Sequence, residues 1–89
     1  MRVVIGFPLI ASIIEFEPFL GEDIEVYLKE FEEWYSKNFS PWKKSSRGVF
    51  DVNTVIDWIK EVAPEANPKI IVEEIDPDEV DPDLPGMYF

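Results

Sequence analysis

Ile24, Tyr27, Leu28, Phe31, Trp34 and Tyr35 fall at i, i+3, i+4, i+7, i+10 and i+11, which places them on one face of a helix. A face this broad and aromatic has to be covered, so the rest of the chain must supply an apolar surface. Glu22, Asp23 and Glu25 in the first turn and Lys37 in the last complement the helix macrodipole. Glu25–Lys29 and Glu33–Lys37 add i,i+4 pairs in the favourable order. The spacing predicts a helix over about 22–37.

The covering surface has to come from two apolar runs. Val3 to Ile14 is interrupted by Gly6, Pro8 and Ser12, so residues 2–7 and 9–17 read as a hairpin turning at Gly6-Phe7-Pro8. Its second arm closes with the alternation Ile14-Glu15-Phe16-Glu17. Ile70-Ile71-Val72, within 69–75, reads as an inner strand. Between them Asp51 or Asn53 can cap a second helix over about 53–63, with Val52, Val55, Ile59 and Val62 as its stripe and Pro64 as its stop. The expectation is an α+β fold. A small antiparallel sheet, made of the N-terminal hairpin plus the strand near 69–75, carries both helices on one face. Residues 1–75 form one domain, and 76–89 an extended, acidic, proline-rich tail with an apolar tip.

Residue types that are missing narrow the chemistry. With no cysteine in 89 residues, neither a disulfide nor a thiolate metal site can staple the fold. Without histidine as well, the usual general bases and nucleophiles are lacking, so catalysis is not expected and no cofactor is implied. The carboxylates after Ile75 offer hard oxygen ligands, but a calcium-binding loop counted from Asp76 would need Gly at its sixth position and Glu at its twelfth. Those positions hold Asp81 and Met87, so no metal site is expected. The apolar run 3–14 is too short to span a bilayer as a helix, and the expected compartment is the cytoplasm, or the cytoplasm of a host.

Charge sets the functional expectation. A net charge of −11 opposes general affinity for nucleic acid or an anionic membrane and suits a basic protein partner. Acids make up seven of the eleven residues from Glu73 to Asp83. The expected partner-binding residues are Glu25, Glu32 and Glu33 on the first helix, Asp76, Asp78, Glu79, Asp81 and Asp83 on the tail, and Tyr88 and Phe89 at its tip. The expected function is non-enzymatic: an inhibitor, nucleic-acid mimic or accessory subunit occupying a basic surface.

The acidic run followed by Pro85 and Phe89 resembles the C-terminal tips of bacterial single-stranded-DNA-binding proteins, although those end in Pro-Phe and here the two residues are four apart. That resemblance implies acids that steer and an apolar end that docks. The competing reading folds Leu84, Met87, Tyr88 and Phe89 back onto the domain's own core. Glu30-Phe31-Glu32-Glu33 and Val52-Asn53-Thr54-Val55-Ile56-Asp57-Trp58 are similar to two helices of the immunity proteins of nuclease bacteriocins. This resemblance implies an acidic inhibitor, without that family's paired tyrosines or its all-helical fold.

One stretch inverts the charge. From Trp34 to Phe50 there is no acid, and cations alternate with aromatics. Lys37, Trp42, Lys43, Lys44 and Arg47 therefore support an alternative, binding of single-stranded nucleic acid by stacking and phosphate contacts. A third reading is a structural subunit of a larger assembly, including a homo-oligomer.

Overall fold

The N-terminal hairpin forms as its turn residues dictate. In the computed structural model, which describes residues 1–38 and 51–89, β1 (Arg2–Gly6) pairs antiparallel with β2 (Ala11–Glu15) from Arg2 opposite Glu15 to Gly6 opposite Ala11. The turn is closed by Phe7 N–H donating to the Ile10 carbonyl at 2.9 Å, and Pro8 sits within it, where its missing N–H leaves no gap in the ladder.

The first helix, α1 (Ile24–Asn38), starts two residues later than its charge pattern suggests. Asp23 caps it, its Oδ1 accepting from Glu25 N–H at 3.0 Å. Tyr27 then ties the entry loop to the helix. Its hydroxyl accepts from Phe19 and Leu20 N–H, each at 3.1 Å, and donates to the Gly21 carbonyl. Gly21 takes φ 84°, a left-handed conformation open to glycine at no steric cost. The second helix, α2 (Val52–Val62), opens on a capping box. Asp51 accepts from Asn53 N–H, and Thr54 Oγ1 accepts from Asp51 N–H.

β3 (Lys69–Ile75) joins the hairpin antiparallel to β2, as expected. Its pairing jumps from Ile14↔Ile70 to Ile13↔Val72 and again before Ala11↔Ile75, so each step inserts an extra residue that bends the strand. Both helices lie on one face of the sheet. Val3 and Ile5 of β1, Ile14 of β2, Tyr27 and Phe31 of α1, and Val55, Trp58 and Ile59 of α2 form one buried cluster. Aromatic edges lock it: Phe31 meets Trp58 at 5.4 Å and 70°, and Phe16 meets Tyr27 at 5.3 Å and 62°.

The C-terminus departs from the expected sheet. Gly86–Tyr88 forms a fourth strand, β4, parallel to β1, so the sheet is mixed, in the order β3-β2-β1-β4. Val4 N–H donates to the Pro85 carbonyl and Phe89 N–H to the Gly6 carbonyl, at 2.9 and 2.8 Å. Met87 is fully buried in the helix-side cluster. The apolar tip thus folds back on its own domain. The tail's prolines and acids mask a three-residue strand that owes its stability to one buried side chain and to an edge of β1 needing a partner.

Residues 76–85 have to carry the chain from β3 at one side of the sheet to β4 at the other. Val4 and Ala11 are 0% and 1% exposed yet stand outside the helix-side cluster, because the alternation along β1 and β2 turns them to the opposite face. With the helices filling the first face, the connection crosses the second as a strap. Val80, Leu84 and Pro85 are half-buried on it, while Asp76, Asp78, Glu79, Asp81 and Asp83 stay exposed.

Phe31→Ala is expected to cost about 3–5 kcal/mol and Met87→Ala about 2–5 kcal/mol in urea unfolding. A Met87 variant as stable as the parent would mean that β4 adds nothing to the folded sheet.

Candidate binding surface

All 19 carboxylates of the chain, but only five of its eight cations, belong to the described residues. The structure does not gather the predicted binding residues into one surface. It divides them between the two sides of the sheet.

Glu25, Glu32 and Glu33 are exposed on α1, on the helix side. Glu25 and Glu32 are seven apart, two turns along one face, with the cationic Lys29 between them. None of the three carboxylates makes an ion pair among the described residues. Asp76, Asp78, Glu79, Asp81 and Asp83 lie on the strap across the other face. There the repeated Asp-Pro-Asp has a local purpose. Asp76 Oδ1 accepts from Asp78 N–H and Asp81 Oδ1 from Asp83 N–H, both at 2.9 Å, so each repeat is the same side-chain-capped turn with proline at its second position.

The two terminal aromatics part in the same way. The Tyr88 ring occupies the space that side chains on Gly6 and Gly86 would fill, on the strap side, and is 66% exposed. Phe89 turns to the helix side, stacks on Phe7 at 5.9 Å and meets the edge of Phe31 at 5.5 Å.

Phe89 and Glu32, distant in sequence, come together there. With Phe31, Tyr35 and Ser36 they line an open groove of about 430 Å³. Its floor is aromatic, and its rim carries the Glu32 carboxylate and the Ser36 hydroxyl, which donates to the Glu32 carbonyl at 2.9 Å. Phe31, Tyr35 and Ser36 are absent from the expected partner-binding set, in which Phe31 counts as core and Tyr35 as core or as part of the alternative patch. The signal was present in the adjoining i,i+4 rows, Phe31–Tyr35 and Glu32–Ser36, which put an apolar and a polar row side by side.

Of the alternative basic patch, Trp42, Lys43, Lys44 and Arg47 lie outside the described residues, and Lys37 is exposed in the last turn of α1. Trp34 and Tyr35 are half-buried against the core, with Trp34 Nε1 donating to Glu61 at 3.0 Å. Among the described residues no three potential ligands converge on a point that could hold a metal ion, and no helix is long and apolar enough to cross a membrane.

Compared with family models, with curated proteins and with solved structures, the chain matches none.

One carboxylate is committed to structure. Glu15 lies between Arg2 at 3.0 Å and Lys69 at 3.3 Å, linking β1, β2 and β3 on the strap side. The hydrogen bond from Arg2, then that from Lys69, holds its carboxyl below the ordinary value. A depressed folded value stabilises the fold above the ordinary carboxylate range, and that contribution is lost as pH falls through it. Glu15→Gln is therefore expected to lower the urea midpoint near neutral pH and to leave it unchanged in acid. Because all three side chains are partly exposed, the neutral-pH difference should shrink in high salt.

Proposed function

We propose that this chain is a non-enzymatic acidic binding protein that occupies a basic surface of a partner protein, as an inhibitor, nucleic-acid mimic or accessory subunit. The observation that carries the reading is the unneutralised charge of α1. Glu25, Glu32 and Glu33 are exposed and make no ion pair among the described residues, and Glu32 stands on the rim of an apolar groove. Carboxylates in that state attract a basic surface over roughly a Debye length, about 10 Å at 0.1 M salt, and so accelerate encounter. The strap acids extend the negative field over the opposite face, but two of them already serve their own turns.

The described part of the alternative patch gives nucleic acid less support. Trp34 is packed on the core, with its Nε1 bonded to Glu61, instead of being offered for stacking on bases.

The reading is tested with the full chain immobilised to capture partners from its source cells at low salt, followed by association kinetics on each captured protein. The triple variant Glu25→Gln, Glu32→Gln, Glu33→Gln is expected to associate about ten-fold more slowly at low salt, with the difference vanishing at high salt. If the partners have no basic surface, or if the triple variant associates at the parent rate, the acidic face of α1 is not the binding surface.

A further inference from the structure

The groove between α1 and the C-terminal residue differs from the rest of the acidic surface in having an apolar floor. Phe31 is buried beneath it, and Tyr35 and Phe89 are only partly covered. Its volume, about 430 Å³, is room for one large side chain laid in an open groove. The groove cannot suit an anion, because the Glu32 carboxylate stands on its rim and the whole chain carries −11. It does not suit an uncharged apolar segment best either, since that would leave Glu32 beside a dehydrated surface without a counter-charge.

We infer that this groove is the anchor slot of the interface. It takes one large aliphatic or aromatic side chain from a segment of the partner protein in which lysine or arginine flanks that residue. The apolar side chain lies on Phe31, Tyr35 and Phe89, and a neighbouring cation reaches Glu32. This inference rests on the proposed function and specifies how the partner is held. Acids alone give fast and loose encounter, whereas one buried anchor slows dissociation. A second copy of this chain is a poorer occupant, since two molecules at −11 repel and each would bring further acids to the other's rim. The residue a second copy could offer is Leu9, 93% exposed at the hairpin turn.

The test uses the full chain labelled with nitrogen-15 and three probe peptides at low salt: Lys-Lys-Leu-Lys-Lys, the same peptide with glycine in place of leucine, and Glu-Glu-Leu-Glu-Glu. The leucine peptide is expected to shift the amide signals of Tyr35, Ser36 and Phe89 and to bind about ten-fold more tightly than the glycine peptide, the contribution of one buried side chain. The acidic peptide should leave those signals unmoved. Glu32→Gln, at an exposed position that does not threaten folding, should weaken the leucine peptide about three-fold. Equal binding of the leucine and glycine peptides, with shifts spread over the acidic residues, overturns the anchor slot and leaves the acidic-surface reading standing. Absence of binding by either cationic peptide overturns both. Groove signals that move with protein concentration alone, and stop moving in Leu9→Ser, assign the groove to a second copy and also overturn the inference.

Discussion

The ring of Phe31 is where the separate parts of this small fold meet. It projects from the middle of α1, takes the edge of Trp58 from α2 at 5.4 Å, and meets Phe89, which follows β4, at 5.5 Å. Trp34 and Tyr35 of its own helix lie at 6.0 and 5.9 Å. A chain of 89 residues without disulfides has few ways to unite two helices with a sheet, because its core is too thin for several independent layers. Edge-to-face aromatic contacts answer this economically, since each large ring covers several neighbours with little loss of side-chain entropy. The placement of the C-terminus follows from the same contact. Met87 and Phe89 turn to the helix side and reach the cluster around Phe31, which leaves Tyr88 on the other face by strand alternation.

So acidic a chain can fold because most of its charge does not have to be buried. The carboxylates on α1 and the strap are exposed, and water and salt screen their mutual repulsion. Several do structural service as well. Asp23 and Asp51 cap the two helices, Asp76 and Asp81 close the turns of the strap, and Glu15 joins three strands through Arg2 and Lys69. Counting acids along the sequence therefore overstates the share available to a partner.

The sequence made some parts of this arrangement plain and hid others. The 3.6-residue spacing from Ile24 to Tyr35 marks α1 within two residues at its start, and Asp51 before an apolar stripe marks α2 within one. Both helices are legible because periodicity and caps are local signals. The hairpin and β3 are legible because their β-branched runs end in turn residues. β4 is not, since three residues carry no periodicity and its pairing with β1 joins positions more than 80 apart, Val4 with Gly86. Missing that strand also hides the strap. An acidic, proline-rich stretch reads as an extended tail whose tip either docks on a partner or folds back, and the pairing of β3 and β4 holds it at both ends. The candidate site was half legible for the same reason. Glu32 and Phe89 both stand out as charged or terminal residues, but only the parallel pairing of β4 brings them to one groove.

Under the proposed anchor slot, that pairing would also couple binding to folding. Phe89 contributes to the groove and to the packing around Phe31, and its backbone N–H completes the bond to Gly6 that ends the sheet. A ligand that rests on Phe89 requires β4 to be in place, so it binds the folded state and not a chain whose C-terminus has peeled away. Such a ligand raises stability by RT ln(1 + [L]/Kd), about 2.7 kcal/mol at one hundred times Kd. Conversely, any loss of order in the last strand reduces apparent affinity by the fraction of molecules left without a groove. Substituting Phe89 cannot separate these effects, since it removes packing and binding surface together. Glu32 can separate them. Its carboxylate is exposed and makes no ion pair among the described residues, so changing it alters what approaches the groove while leaving the ring beneath untouched.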